Sequence, residues 1–197
     1  MDLDKKAKGL FDEGVLTMLI VKKFGGTTVE TKEDIFRVAK RCLEDYRKGH
    51  DVVIVLSAMG SHTEELIEQA KMLNPDPSAR DMDMLLSISA QMSAAFMAMA
   101  FETMDVPAVS LNAYQAKIST TEEHGNAEIT GMETGRILDE LNQRKIVIVT
   151  GGLGILENND ITTLAGGAEA TAVALAEALQ ADICEIYGEV REEMAVA

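Results

Sequence analysis

Basic charge is scarce in this sequence. Eighteen lysines and arginines stand against 33 aspartates and glutamates, giving a formal net charge of −15 over 197 residues. Nucleic-acid phosphates and anionic membrane surfaces would both be repelled, so neither is an expected partner. Cysteine is nearly absent. Cys42 and Cys184 lie in apolar helix-like and strand-like patterns without metal-ligand spacing, which predicts buried free thiols in a reducing compartment. Long unbroken apolar runs are missing as well. The most apolar stretch, Met84 to Phe101, is interrupted by Ser87, Ser89, Gln91 and Ser93, which predicts a buried helix and no membrane span. The first residues, Met1-Asp-Leu-Asp-Lys-Lys-Ala-Lys, lack the apolar core of a signal peptide and predict a cytoplasmic protein. There is no repeat of solenoid length and no low-complexity tract.

What is present is ordinary for a globular protein: 47% hydrophobic and 26% charged residues, enough chain for one domain, or for one and a fragment of a second. Residues 1–17 read as a polar extension. Strand and helix signals alternate after it. A strand over 18–24 precedes a helical spacing of Ile35, Val38, Ala39, Cys42, Leu43 and Tyr46, closed by Gly49. Residues 51–57 form a near-continuous apolar run, as expected of a strand covered on both faces. Thr63-Glu-Glu-Leu66 opens a second helix, Asn74-Pro-Asp-Pro-Ser78 is a loop, and a Met/Ala-rich helix runs from about Asp83 to Met104. A short strand at 108–111, a loop with a hairpin over 112–131, a helix near 133–143 and a strand at 145–150 follow. A helix from Ala168 to Ala181 and a strand at 182–187 close the pattern. Such alternation predicts an α/β fold, a three-layer αβα sandwich around a mostly parallel sheet.

The most informative segment is Val21-Lys22-Lys23-Phe24-Gly25-Gly26-Thr27-Thr28, a lysine-tipped strand running into two glycines and two hydroxyls. Glycine permits a sharp turn and close approach of the backbone to a ligand, and an ammonium beside backbone N–H groups makes an anion site suited to phosphate. A tight strand-to-helix turn carrying surface lysines fits the octapeptide equally well. Elsewhere, His62 and His124 have acidic neighbours (Glu64, Glu65, Glu122, Glu123), but the clusters are far apart in sequence and read as solvated loops, so no metal site is expected. The methionines at 82, 84, 92, 97, 99 and 104 read as adaptable core packing.

The octapeptide resembles the Lys-Phe-Gly-Gly-Thr-Ser signature of aspartate kinases of the amino-acid-kinase family, and the resemblance is collinear over residues 18–187. It continues through Asp51-Val-Val-Ile-Val-Leu-Ser57-Ala58-Met59-Gly60, Met82-Asp83-Met84-Leu85-Leu86-Ser87 and Val106-Pro107-Ala108-Val109-Ser110-Leu111-Asn112. His124-Gly125-Asn126-Ala127, Val147-Ile148-Val149-Thr150-Gly151, Asp160-Ile161-Thr162-Thr163-Leu164 and Thr171-Ala172-Val173-Ala174-Leu175-Ala176 follow, and Asp182-Ile183-Cys184-Glu185-Ile186-Tyr187 completes the series. The resemblance implies an enzyme that transfers the γ-phosphoryl group of ATP, with Mg2+, to the side-chain carboxylate of aspartate, in the biosynthesis of lysine, threonine and methionine. It also implies a homo-oligomer. Lys23 and Glu169 would be its catalytic residues. Lys23, Gly25, Gly26, Thr27, Gly166 and Gly167 would hold phosphate, and Thr28, Ser57 and Thr63 would line the substrate side.

Departures from the pattern fall on the working parts. Ile88-Ser89-Ala90-Gln91 stands where the family reads Thr-Gly-Glu-Gln, so Ala90 replaces a substrate-holding glutamate. Ala165-Gly166-Gly167-Ala168-Glu169-Ala170-Thr171 stands for Gly-Arg-Gly-Gly-Ser-Asp-Thr-Thr: one residue shorter, without the arginine, and with Glu169 at the aspartate's place. A longer side chain in a shorter loop would put its oxygens elsewhere. Gly151-Gly152-Leu153-Gly154 replaces Gly-Phe-Gln-Gly, and Gly188-Glu189-Val190-Arg191-Glu192 replaces Thr-Asp-Val-Asp-Gly. The expectation is an N-terminal lobe of the fold, residues 18–197, lacking the remaining ATP-binding part and the regulatory domains. Such a chain would be an aspartate kinase fragment of little or no activity, or a non-catalytic assembly module on the same fold.

Overall fold

A computed structural model describes residues 17–188. The expected extension therefore lies, but for Thr17, outside the described residues, as do Glu189 to Glu192. Five parallel strands form the main sheet: β1 (Leu19–Phe24), β2 (Asp51–Leu56), β3 (Ala108–Leu111), β6 (Ile146–Thr150) and β9 (Ile183–Tyr187), in the order β3-β6-β2-β1-β9. Helices connect them: α1 (Lys32–Arg47), α2 (His62–Leu73), α3 (Ala79–Glu102), α4 (Gly135–Asn142) and α5 (Gly167–Ala178).

Strand side chains alternate between faces, and each face of the sheet has its own core. Leu56, Ile54, Ile146 and Ile148 pack against Val38 and Cys42 of α1 and Met97 and Phe101 of α3. Val53, Val55, Val147 and Val149 pack the other way, against Ile137 and Leu141 of α4 and Ala172 and Leu175 of α5. The expected three-layer αβα sandwich is therefore present. Burying such a side chain is worth about 1.5–3 kcal/mol, which is why the strands covered on both faces read as unbroken apolar runs.

Helix ends follow local chemistry. Thr31 caps α1 by accepting from the Asp34 N–H while the Asp34 carboxylate accepts from the Thr31 N–H, a reciprocal capping box. Gly49, with φ of +95°, takes the left-handed conformation that ends this helix. Ser78 accepts from the Asp81 N–H, so α3 starts four residues before the expected Asp83.

A second sheet was only partly foreseen. The hairpin expected within 112–131 is β4 (Ile118–Thr120) and β5 (Ile129–Met132), paired antiparallel. Strands β7 (Leu153–Ile155) and β8 (Ile161–Thr163) complete the order β5-β4-β7-β8, and their three-residue length left no period to read. Other expectations need correction. Cys42 is buried, but Cys184 is exposed, because β9 is an edge strand. Met97 is a core residue, whereas Met84 and Met99 are exposed on α3. Helix α3 meets length and hydropathy criteria for crossing a membrane, yet its inner residues Ala94, Met97 and Phe101 are packed in the core.

Candidate functional site

The site forms where β1, β2 and β6 end. Phe24, Leu56 and Thr150 share one rung of the sheet, and the chain leaves that rung at Gly25, Ser57 and Gly151. The Ser57 N–H donates to the Phe24 carbonyl at 3.2 Å and the Gly151 N–H to the Leu56 carbonyl at 2.8 Å, so the three turns stay in register. Residues Gly26–Val29 form a 3-10 turn rather than the first turn of a helix. The Thr28 hydroxyl is spent locally, donating to the Gly25 carbonyl at 2.6 Å, and Thr27 is exposed.

Neither glycine of the octapeptide turns in the left-handed region; Gly25 is extended, with φ of −76° and ψ of 166°. The need at Gly26 is for close packing: a Cβ there would lie 2.4 Å from the Ala58 carbonyl oxygen, and the Gly60 N–H donates to the Gly26 carbonyl at 3.2 Å. This backbone approach is to the chain's own loop after β2.

The two lysines are not on the surface. Each is 2% exposed, and the pleat sends them to opposite faces of β1. Lys22 turns toward α1 and sits between Asp45, at 2.6 Å, and Glu185 of β9, at 2.7 Å. Burial opposes its charge, but the hydrogen bonds to these carboxylates outweigh burial and push Lys22 up to about 12. Lys23 turns toward α5 and donates to the Glu169 carboxylate. Burial opposes ionisation of Glu169 too. The hydrogen bond from Lys23 and one from its own backbone N–H prevail, and they hold its carboxyl below the ordinary carboxylate range.

Glu169 lies in the first turn of α5, which follows the Gly166–Gly167 turn. Gly167 has φ of +55°, and a Cβ there would lie 3.5 Å from Glu169 Oε2, so the carboxylate is folded back over the start of the helix. The helix is seated against the turn after β6. The Gly152 N–H donates to the Thr171 hydroxyl at 2.9 Å, and a Cβ on Gly151 would come 2.4 Å from the Ala168 Cβ.

The structure thus joins Lys23 with Glu169 and the Gly166–Gly167 turn, and joins Gly26 with the loop that follows Ser57. The Thr63 hydroxyl lies 3.4 Å from that of Ser89 on α3. Ala90 is 4% exposed and packed in the core on the α5 side, so no carboxylate reaches the site from that position.

Two buried networks escaped the sequence reading. Asp83, 1% exposed, accepts from the Gly125 N–H at 3.0 Å, from the Thr163 hydroxyl, and lies 2.8 Å from His124 Nδ1. It ties α3 to the second sheet, and His124 is no solvated loop residue. An aspartate in an otherwise apolar helical stretch was the available signal. The other is Lys22–Asp45–Glu185, whose partners are too distant in sequence to be paired by pattern.

The sequence matches the amino acid kinase family over residues 18–191, and the chain belongs to that family. It is 50% identical over 173 residues to the aspartokinase of Geobacillus stearothermophilus, covering 87% of this chain and 42% of that relative. It is 48% identical over 173 residues to aspartokinase 2 of Bacillus subtilis, with the same coverage. Among solved structures, the aspartate kinase from Synechocystis superposes with a TM-score of 0.76 at 42% identity, over 87% of this chain and 28% of that one. Aspartokinase III of E. coli, in complex with aspartate and ADP, shares the fold with a TM-score of 0.71 at 24% identity, over 86% of this chain and 48% of that one. The chain spans about two fifths of the length of the curated relatives it matches.

Proposed function

We propose that this chain is an aspartokinase-like amino acid kinase domain that does not phosphorylate aspartate with ATP at a rate typical of enzymes. The observation that carries the reading is the Lys23–Glu169 pair. Phosphoryl transfer depends on positioning and on neutralising charge on the transferred group. Glu169 takes one of the three N–H donors of Lys23 and adds a negative charge where further negative charge would arrive. Lys23, Gly166 and Gly167 would meet the phosphates of a bound nucleotide, which with its Mg2+ would supply the phosphoryl group.

The substrate side points the same way. Ala90 offers no carboxylate, and the turn from Ala165 to Thr171 holds no arginine for an acidic substrate. By analogy with truncated buried charge pairs, each such loss costs about 2–5 kcal/mol, or roughly 30-fold to several thousandfold in rate. A coupled assay of ADP release tests the reading. Aspartate-dependent turnover above about 1 s⁻¹, the low end for typical enzymes, would overturn it.

A second reading, a non-catalytic assembly module, is favoured by a separate observation. Met84, Ile88, Phe96 and Met99 are exposed along one face of α3, and Phe96 and Met99 line an apolar groove of about 340 Å³ with Ile35, Phe36 and Met59. Apolar patches of this kind drive association. The edge strand β9 adds exposed Ile183 and Ile186, whereas Ile146 to Val149 are wholly buried within the sheet. Light scattering giving a monodisperse monomer at tens of micromolar would remove this reading.

A further inference from the structure

The apolar groove between α1 and α3 lies on the opposite face of the main sheet from Glu169. Buried Ile35 and Met59 line it together with Phe36, Phe96 and Met99, of which Phe96 and Met99 are exposed. Its volume of about 340 Å³ is at the lower end for pockets that hold small molecules. Phenylalanine offers a ring to pack on, and the unbranched methionine side chains adapt to a guest and favour contact with aromatic rings. One charged residue lines the groove, and it is a cation: Lys32, exposed at the start of α1. In a chain with 33 acidic and 18 basic residues, that sign is the opposite of what composition favours. Lys32 enters no ion pair among the described residues, and nearby Asp34 is engaged by Arg37 and by the Thr31 cap. The other polar side chain at the groove, Thr103, donates its hydroxyl to the Ala100 carbonyl at 2.8 Å. Lys32 is therefore the group left to meet a ligand's charge.

We propose that this groove is a ligand site for a small aromatic monocarboxylate, whose ring lies on Met59, Phe96 and Met99 and whose carboxylate meets Lys32 at the rim. Burial of the ring supplies most of the attraction, and the single cation fixes which end points out. A bare anion gains nothing from apolar walls. A dicarboxylate would leave its second charge against those walls in a chain of net charge −15. The site is separate from the residues proposed for phosphoryl transfer and stands whether or not this chain is a kinase. It competes with association of copies for the same face of α3. Met59 also connects the groove to the end of β1, because it belongs to the loop whose Gly60 N–H donates to the Gly26 carbonyl at 3.2 Å. A guest that moves Met59 therefore acts on that turn.

Phenylbutyrate is the probe, with phenylbutanol as its uncharged analogue and acetate as the charge without the ring. Binding is followed on the full chain at low salt through the methionine methyl resonances, for the parent, Lys32→Gln, Met99→Glu, Met99→Lys and Lys40→Gln. The substituted side chains are exposed, so the variants keep the fold, and Lys40→Gln reports net charge alone. Phenylbutyrate should saturate the parent with a Kd of about 1 mM or below and shift the Met59 and Met99 signals, whereas acetate should shift neither. Lys32→Gln should weaken phenylbutyrate about fivefold, the upper end for an exposed ion pair, and leave phenylbutanol within about twofold. Lys40→Gln should stay within about twofold for both. Met99→Glu should bind phenylbutyrate about tenfold more weakly than Met99→Lys, since the two share the lost thioether and differ in sign. Equal affinity of the parent and Lys32→Gln for phenylbutyrate would overturn the proposal, as would the lack of saturation by about 10 mM. Light scattering runs alongside. A monomer that binds the probe upholds the site and removes the assembly reading. A dimer whose Met99 signal ignores the probe gives the groove to a second copy and overturns the proposal.

Discussion

Lys22 and Lys23 are neighbours in sequence, equally buried, and each is bonded to acid, yet they serve different regions of the molecule. Lys22 is locked between α1 and the edge strand β9. Its partners come from two elements, and Glu185 is held in turn by the Tyr187 hydroxyl at 2.6 Å. Tyr187 stacks on Phe24 with ring centroids 4.7 Å apart, and Arg41 lies over its ring at 4.2 Å. Among the described residues Lys23 has one acidic partner, more than half exposed, on the first turn of a helix. A buried charge with several fixed partners is part of the framework. A buried charge with one movable partner is available for chemistry, or for being kept from it.

The comparison breaks first at Lys22. Replacing it with methionine keeps the volume but takes the buried cation from both carboxylates, leaving Asp45 to Lys48 at 3.0 Å and Glu185 to the Tyr187 hydroxyl. Removing one member of a buried ion pair costs 3–5 kcal/mol; because Glu185 is about a third exposed and screened, about 3 kcal/mol is expected here. At about 2–4 °C per kcal/mol for a chain of this size, Lys22→Met should melt roughly 6–12 °C below the parent. A pH series sharpens the result. Burial works against ionised Asp45 and Glu185, but hydrogen bonds from Lys22, joined by Lys48 on Asp45 and by Tyr187 on Glu185, overcome it and hold both carboxyls below their ordinary values of 3.8 and 4.5. Their stabilisation is complete above those values and is lost as pH falls through the depressed ones. Lys22 has the opposite sign: its stabilisation is complete below 10.5 and is lost as pH rises through about 12. The parent should therefore lose stability below about pH 4 more steeply than Lys22→Met does.

Gly151→Ala acts between the two regions. Its Cβ would come 2.4 Å from the Ala168 Cβ and 2.9 Å from Val55 Cγ1, so the first turn of α5 must move off the sheet. Overpacking of this kind costs about 1–3 kcal/mol. The displacement also carries Glu169 away from Lys23. Thermal melts on this variant should show lower stability. A melt unchanged from the parent would mean that the first turn of α5 is not seated against Gly151.

The fold was legible because parallel strands covered on both faces cannot hide. The runs 51–57 and 145–150 needed no partner information, and Gly49 marked the end of α1. The short strands β7 and β8 were illegible: three residues set no period, and the glycines around them suggest turns. At the site, Lys23 and Glu169 were named individually, but their meeting depends on the seating of α5 against Gly151 and Thr171, a tertiary fact. The glycines misled in an instructive way. Gly26 was read as room for a ligand, and its neighbour turned out to be the Ala58 carbonyl. Lys22 read as its neighbour's equal until Asp45 and Glu185 appeared around it.

The smallest stability effect belongs to Lys23. Methionine at this position leaves the packing against the α5-side core intact, and the abandoned Glu169 carboxylate is already 52% exposed, so it can hydrate fully without moving a backbone atom. Ion pairs with one partner in water are worth about 0–1 kcal/mol, and Lys23→Met should melt within roughly 4 °C of the parent. Its desolvated ammonium also disappears, which offsets part of that loss. A melt as low as that of Lys22→Met would place both lysines in the framework, and the distinction between a locked charge and a withheld one would fall.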